Sequence, residues 1–445
     1  MSMNIGSQLI SKLGSPNSKL PLATKDLVNN LGYTYFSYDA GGSIEGKDRF
    51  VDEVGTGLIW LFGIPTFKKI IDSTIFKAAK ISPDVDVRVL KNNNYLQSAI
   101  ENAPNTKIIE QLQKAAENLP KTKALNIVKF IASLGLTLLS FSMLTKFKQN
   151  MTKKSIEKEY IEKQTKQEKD TKQTTISLQN SPVFAEFTNK EQSKKVSFGC
   201  NPVVKIAEDI MLNPIKNMMV LDMGISGSRL CSARTKGEFM EYGIKEGSFL
   251  FFIYGAGNLI TKAIDSVSEK LFKAPIALDA NFLNSDSAKK LLEDKKLQTE
   301  LYNFTKLLKE KGDSKELYDF IFKNQDNIVV KAAKKSGIIS TIKDSTDKID
   351  TRKFIDLKEI DKLTQNLSKF IKEAPTENIE NYLNKIKGLK VASTILNVGI
   401  CCLTLGYAVP KAMYKYRASQ QNGNNDFHVK TEYEKQLATM KAKTL

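Results

Sequence analysis

The stretch VASTILNVGICCLTLGYAVP, residues 391–410, contains no charged side chain and decides the fold class. As a helix, it would be about 30 Å long, which is the thickness of the hydrocarbon core of a bilayer. Lys390 precedes it, and Lys411, Tyr414 and Arg417 follow it. Aromatic and basic residues of this kind are typical of a membrane boundary. The stretch therefore predicts a transmembrane helix.

Three further apolar runs extend the pattern. Residues 124–145 are interrupted only by Lys129, which lies near enough to one end for its side chain to extend to the lipid headgroups. Residues 54–67 and 247–261 are shorter, and their length fits a short span, a re-entrant or interfacial helix, or a buried core helix. We therefore expect a mainly α-helical membrane protein with two to four transmembrane helices plus amphipathic and extramembrane helices. The alternative is a soluble protein whose core helices are apolar all round.

The two halves of the chain resemble one another. Residues 53–73 read EVGTGLIWLFGIPTFKKIIDS, and residues 246–266, which lie 193 positions later, read EGSFLFFIYGAGNLITKAIDS. A second match pairs DVRVL at residues 86–90 with DTRKF at residues 350–354, which lie 264 positions later. Colinear matches are the sequence signature of an internal repeat. They predict a tandem duplication whose second copy carries about 71 inserted residues (264 − 193) between positions 266 and 350.

The composition divides the chain into five parts. They are an N-terminal segment (1–24), a first helical membrane repeat (25–150), a charged flexible linker (151–199), a second helical membrane repeat (200–418) and a polar tail (419–445). The linker holds few large apolar residues and cannot bury enough surface to fold alone. We expect a solvated helix up to about residue 172, a flexible segment after it, and a loose tail.

The basic balance of the chain favours a lipid surface over nucleic acid. The net charge is +18, and only six of the 67 lysines and arginines are arginine. Nucleic-acid readers rely on the planar fork of arginine, so nucleic-acid binding is not expected. The expected partners are the lipid bilayer and either a second copy of the chain, in a homo-oligomer, or another membrane protein. Small residues in the apolar runs, such as Gly135 and Gly399, would let helices pack closely.

Three local patterns invite a chemical interpretation, and each has a simpler structural one. GGSIEGK at residues 41–47 has the spacing of a phosphate-binding loop, but Asp48 stands where Ser or Thr should hold magnesium, so we expect a Gly-rich turn. DMGISGSR at residues 222–229 could bind an anion or a headgroup, and a helix-capping turn is the simpler interpretation. The acid pair Asp52 and Glu53 is expected to be solvated.

The sequence offers no support for catalysis. His428 is the only histidine and lies in the polar tail, so neither a multi-histidine metal site nor a Ser–His–Asp triad is expected. No carboxylate lies inside an apolar run, which argues against a proton relay or an ion-coupled transporter. We therefore expect no enzyme activity, no cofactor, no metal and no catalytic residue.

The favoured hypothesis is a non-enzymatic, multi-pass membrane protein with a scaffolding or membrane-organising role. One alternative is a small-solute or ion-conducting membrane protein, for which Thr137, Asn397 and Thr404 are weak candidate polar positions. The other is a soluble or peripheral helical interaction protein. Lysine clusters follow both long apolar runs, so the N- and C-termini are predicted to be cytoplasmic if all four runs cross the membrane.

Overall fold

The computed structural model describes residues 20–170, 210, 214–272, 276–342 and 347–444. Within these residues the fold is all α, and the only β feature is an isolated bridge between Thr341 and Ile349. The expectation of a mainly α-helical chain is confirmed. The predicted flexible segment of the linker, up to residue 199, lies outside the described residues.

Eighteen α-helices follow one another along the described residues, with three π-helical turns between them. The helices are α1 (Leu20–Ile71), α2 (Lys77–Ala79), α3 (Val87–Lys91), α4 (Asn93–Glu101), α5 (Thr106–Glu117), α6 (Leu119–Asp170), α7 (Pro214–Cys231), α8 (Lys236–Leu250), α9 (Gly257–Phe272), α10 (Ala280–Leu283), α11 (Asp286–Glu293), α12 (Lys295–Lys311), α13 (Lys315–Lys323), α14 (Ile328–Lys335), α15 (Leu357–Lys372), α16 (Ile379–Leu403), α17 (Val409–Gln420) and α18 (His428–Thr444). The π-helical turns are Asp72–Phe76, Phe251–Ala256 and Thr404–Ala408.

Three helical stretches are long and apolar enough to cross a membrane. They are Leu20–Ala79, Leu119–Thr165 and Ile379–Gln420. Only 6%, 22% and 17% of their most apolar windows is buried, so these helices present large apolar surfaces outward. Exposed apolar surface on this scale marks contact with lipid or with another protein. The run at residues 247–261, which includes the second π-helical turn, is not one of the three stretches found among the described residues.

The first long helix folds back on itself at a glycine. Gly42 has φ 74° and ψ −170°, a conformation outside the helical region that glycine adopts readily. The arms before and after Gly42 run side by side, because Tyr38 lies against Gly46 and Asn30 lies near Gly57. A side chain at Gly46 would collide with the Tyr38 ring. α1 is thus a helical hairpin, and the predicted Gly-rich turn forms its bend.

A second hairpin consists of α7 and α8. Thr235 begins α8 by accepting a hydrogen bond from the backbone N–H of Glu238 at 3.1 Å. The interpretation of residues 222–229 as a capping turn is wrong, because they lie inside the continuous helix α7. A glycine serves packing here, since Gly224 lets Leu138 of α6 lie directly against the α7 backbone.

The small helices form a bundle from both halves of the chain. Helices α3–α5 come from the first half and α10–α15 from the second, and their apolar side chains share one buried core with the start of α16. These helices are amphipathic, with leucine, isoleucine and phenylalanine on the inner face, as in a water-soluble domain. We refer to α3–α5 and α10–α15 as the small-helix bundle.

Two Asp-x-Arg turns join the halves within this bundle. In each turn the aspartate accepts a hydrogen bond from the backbone N–H of the arginine, at 2.9 Å for Asp86 and Arg88 and 3.1 Å for Asp350 and Arg352. Each aspartate also pairs with the guanidinium of the same arginine, at 2.6 Å and 2.8 Å respectively. The backbone N–H of Asp86 donates to the carbonyl oxygen of Arg352 at 2.9 Å. The matched strings at 86–90 and 350–354 therefore form matching turns in direct contact.

Lys129 has a distant partner, and one local expectation is wrong. The Nζ of Lys129 lies 2.5 Å from Asp72 Oδ1. The tail is not loose, because residues 428–444 form α18, which packs on the distal part of α6. Lys430 Nζ lies 2.7 Å from Glu159 Oε1 in that contact. Both contacts join residues far apart in the sequence. The expected helix after the run 124–145 is confirmed, since α6 continues to Asp170, but it is not solvated all round, because Ile156 is buried against Phe427 and Val429.

Replacing Tyr95 with alanine tests the core of the small-helix bundle. Tyr95 is fully buried against Tyr318, Phe322 and Phe354. Removing a buried aromatic ring costs about 3–5 kcal/mol. We expect Tyr95→Ala to lower the free energy of unfolding by about that amount, measured by denaturant titration of the purified protein in detergent.

Tyr302→Ala is the matched control, because Tyr302 lies on α12 of the same bundle and is 69% exposed. Its free energy of unfolding should change by no more than about 0.5 kcal/mol. Equal losses in the two variants would contradict the core described here.

Candidate functional site

Helix α8 carries its polar side chains on the inside. All of its buried residues are polar or ionisable: Glu238, Glu241, Tyr242, Lys245 and Glu246. Phe239 and Met240, in contrast, are about half exposed. A surface helix of a water-soluble protein shows the reverse arrangement, with its apolar stripe facing the core. The polarity of α8 is therefore inverted.

Both arms of the α1 hairpin show the same inversion. Their exposed large side chains are apolar or aromatic, and they include Leu27, Leu31, Tyr35, Phe50, Leu58 and Phe62. Most of their buried side chains are polar: Lys25, Asn29, Asn30, Ser37, Glu45, Asp48, Arg49, Asp52, Glu53 and Thr56. The two hairpins thus enclose an ionic interior beneath an apolar surface.

At the bend of the first hairpin, two acids and two arginines form a chain of ion pairs. Arg417 of α17 binds Glu45 through both Nη atoms, at 2.6 and 2.7 Å, and its Nε lies 2.7 Å from Glu241. Arg49 Nη2 lies 2.9 Å from the other oxygen of Glu241. The Tyr414 hydroxyl donates to Glu45 at 2.9 Å. These contacts tie α1, α8 and α17 together.

A second group links α6 to both hairpins. Arg234, in the bend of the second hairpin, pairs with Glu238 at 2.6 Å and with Asp48 at 3.2 Å. Lys148 of α6 donates to the Tyr242 hydroxyl at 2.8 Å and lies 3.8 Å from Asp48. Burial alone would raise the pKa of Glu238, but the Arg234 guanidinium outweighs burial and holds that pKa at about 2. Glu238 is therefore ionised throughout the neutral range.

A third group of ion pairs includes the residues that directly precede the apolar runs 54–67 and 247–261. Arg229 Nη1 lies 2.5 Å from Glu246, and the same guanidinium is 3.5 Å from both Asp52 and Glu53. Lys245 contacts Glu53 closely and lies 3.5 Å from Glu246. Glu53 and Glu246, which are the first residues of the matched strings at an offset of 193, therefore share the same two cations.

These three groups form one ionic core of seven carboxylates and six cations. Its members are Glu45, Asp48, Asp52, Glu53, Glu238, Glu241, Glu246, Arg49, Lys148, Arg229, Arg234, Lys245 and Arg417. Removing one charge from water costs several kcal/mol, so buried charges persist only when they are paired in good geometry. The near balance of opposite charges is what allows the interior to be ionic.

The ionic core is the main feature that sequence reasoning misses. The expectation that Asp52 and Glu53 are solvated is wrong, because both are fully buried among cations from other helices. The positions of the few arginines in the sequence are a signal that could have indicated the ionic core. Four of the six lie in the ionic core, and the other two lie in the Asp-x-Arg turns. Arginine is weakly hydrated and pairs through a rigid fork, so a chain that otherwise uses lysine places arginine where pairs are buried.

The remaining sequence candidates serve the ionic core or lie at its edge. In the stretch 41–47, Glu45 binds Arg417. Ser226 and Arg229, which were candidates for holding an anion, hold the carboxylate of Glu246. His428 Nε2 lies 3.5 Å from Glu241 at the edge of the core. Within the described part of the chain, no group of three His, Cys, Asp or Glu side chains could hold a metal ion.

Arg417→Ala tests whether the ionic core supports the fold. The change would leave Glu45 buried without its bidentate partner, and breaking a buried pair in this way costs about 3–5 kcal/mol. We expect that loss in the free energy of unfolding, and partial recovery when Glu45→Gln removes the stranded charge. Lys415→Ala, two residues away and exposed, is the control and should be near neutral. A loss of the same size in the control would refute the assignment.

Comparison with known proteins adds no relative from which a function could be transferred. No family model matches the chain, and neither a curated protein nor a solved structure matches it. The function is therefore inferred from the polarity and charge arrangement of the chain itself.

Proposed function

We propose that the chain is a multi-pass integral membrane protein, on the strength of its inverted polarity. In water this arrangement would be doubly costly, because it exposes side chains such as Leu27 and Leu403 and buries charge. In a bilayer the outward side chains meet hydrocarbon. The ionisable groups then face the interior of the helix bundle and pair with one another, as intramembrane charges do.

We also propose that the two halves arose by tandem duplication. Both halves contain a helical hairpin, then small helices, then a long apolar helix, in the same order. The bend at Gly42 lies 193 positions before the residue that begins α8, Thr235, which is the same offset as in the matched strings. The matched Asp-x-Arg turns and the shared cations of Glu53 and Glu246 support the same proposal.

For topology, we place the C-terminal helices on the cytoplasmic side. Lys148 and Arg417 follow the runs 124–145 and 391–410, and both lie in the ionic core, so these two runs end at the same level. The lysines beyond them favour the cytoplasm. The first arm of α1 leads back from the bend at Gly42, with Lys25 bonded to Asn397 inside an apolar run. The N-terminus therefore shares the cytoplasmic side only if this arm does not cross the membrane.

A non-enzymatic scaffolding or membrane-organising role fits the pairing in the ionic core. Each of its charges has an opposite charge within 4 Å, so the core holds five helices, α1, α6, α7, α8 and α17, in one fixed arrangement. Charges that are paired with one another stabilise the arrangement of the helices and are not available to bind a transported solute or ion. The small-helix bundle then provides a folded surface for a partner, and small outward residues such as Gly135 and Gly399, with open space beside them, are available for homo-oligomer contacts.

A small-solute or ion-conducting role is the second candidate, because the fold brings ionisable groups beside the apolar runs. The sequence argument against it rested on the lack of carboxylates inside those runs, whereas neighbouring helices place carboxylates next to them. Asp52 and Glu53 have side-chain oxygens that are buried and receive no hydrogen bond from the protein. Such atoms in a polar interior require other donors, and water is the usual one.

A lysine placed on the outward face tests membrane residence. Leu403 in α16 and Tyr302 in the small-helix bundle are both 69% exposed. A lysine at the centre of a membrane helix costs about 2.5–3.5 kcal/mol, whereas an exposed position in water tolerates it. We expect the native chain and Tyr302→Lys to stay in the pellet after alkaline carbonate extraction, and Leu403→Lys to insert less. Release of the native chain into the supernatant, or equal behaviour of the two variants, would show that the protein is not integral.

Reconstitution into liposomes separates the two roles. If the protein is a scaffold, vesicles that contain it should be as tight to protons and to small ions as empty vesicles, measured with an internal pH dye and with ion-selective dyes. Flux that depends on the protein and changes in Asp52→Asn would favour the conducting role instead.

A further inference from the structure

A small cavity lies beside the ionic core, between the α1 hairpin and the hairpin of α7 and α8. Its volume is about 20 Å³, which is room for about one water molecule. Asp26 and Asn29 line it from α1, Asp222 lines it from α7, and Trp60 lies beside them. Arg229, Lys245 and Glu246 of the ionic core line it as well, so the cavity is lined by charged and polar residues from both halves of the chain.

The two aspartates of this cavity differ from the carboxylates of the ionic core. Asp26 accepts a hydrogen bond from Asn30 Nδ2 at 3.1 Å. Asp222 accepts a hydrogen bond from the Tyr254 hydroxyl, and the Trp60 side chain lines the same cavity. Both donors are neutral, and no lysine or arginine of the described chain pairs with either aspartate within 4.0 Å. Buried Asp222 and partly buried Asp26 thus face one cavity without an ion-pair partner within 4.0 Å, although Arg229 and Lys245 line the same cavity.

A third side chain points to what the cavity takes up. Asn29 is only 2% exposed, and its Oδ1 accepts no hydrogen bond from the protein, while its amide nitrogen donates to Asn30. A buried acceptor in a polar cavity requires a donor. A protonated carboxyl group or a water molecule in the cavity supplies that donor, whereas an ionised carboxylate has none.

We propose that this cavity is a proton-binding site in which Asp26 and Asp222 together hold one exchangeable proton. A hydronium ion delivers the proton: one of its O–H bonds breaks, one O–H bond forms on a carboxylate oxygen, and a water molecule is released. The pair then changes from two negative charges to one. Two ionised carboxylates that face one small cavity repel each other, so sharing one proton removes their repulsion.

The charged groups around the cavity do not remove the repulsion between Asp26 and Asp222. Two negative charges, Glu53 and Glu246, and two positive charges, Arg229 and Lys245, lie in the part of the ionic core next to the cavity. These four groups come from α1, α7 and α8, and they pair with one another in the ionic core, so their effects on the cavity largely offset. The site follows from these contacts whether the protein acts as a scaffold or conducts ions, so it goes beyond the proposed function.

Trp60 makes the proposal directly measurable, because it is the only tryptophan in the chain and it lines the same cavity as Asp222. We expect the emission of the full chain in detergent to show one proton-dependent transition at a pH above about 4, where exposed aspartates titrate. Asp222→Asn should abolish the transition, and Asp26→Asn should shift it to lower pH by removing the repulsion. Asp39→Asn, at an exposed aspartate of the same helix, should leave it unchanged.

A transition that persists unaltered in both Asp26→Asn and Asp222→Asn would overturn the proposal, as would an emission that does not change with pH. If Asp222→Asn fails to fold, infrared spectroscopy of the native chain replaces it. A protonated-carboxyl band at neutral pH that is lost in Asp26→Asn supports the site, and the absence of that band refutes it.

Discussion

A buried charge needs an opposite charge close by, and this requirement governs how the long helices of this protein are arranged. Ion pairs are directional, so they fix more than proximity. The fork of Arg417 fits Glu45 in one orientation, and its Nε then reaches Glu241 on another helix. Moving any one helix would strand charges on its neighbours at a cost of several kcal/mol. The arrangement of the helices is therefore stabilised by the free-energy cost of breaking these ion pairs.

Two kinds of core stabilise different parts of the same chain. The small-helix bundle buries apolar side chains, so the hydrophobic effect drives its assembly. Around the hairpins the apolar side chains face outward, and lipid provides no hydrophobic force between helices. Polar contacts must then hold the helices together, and the ionic core provides them. The change from one kind of core to the other occurs along α1 and α6, which belong to the part with inverted polarity and lead into the bundle.

The cavity beside the ionic core shows what happens where pairing stops. Each carboxylate of the core is matched by a lysine or an arginine, whereas Asp26 and Asp222 have neutral partners only. A matched charge has a structural role, because its protonation would disrupt the pair. A carboxylate without an ion-pair partner can take up a proton without disrupting such a pair. Carboxylates that have an ion-pair partner therefore serve the structure, and the two that lack one are the candidates for proton binding.

The helical class, the two long apolar helices and the turn at Gly42 could be predicted from the sequence, because apolar run length and glycine conformation act locally. The few arginines were a further signal in the sequence. The third apolar helix, the burial of Asp52 and Glu53, the packing of α18 on α6 and the helical conformation of residues 222–229 emerge only in the folded chain. The local sequence around an acidic residue is the same whether its side chain faces water or a cation on a distant helix. The way in which the helices fold back on one another decides which partner the residue meets, and the spacing of residues along the chain does not predict that partner.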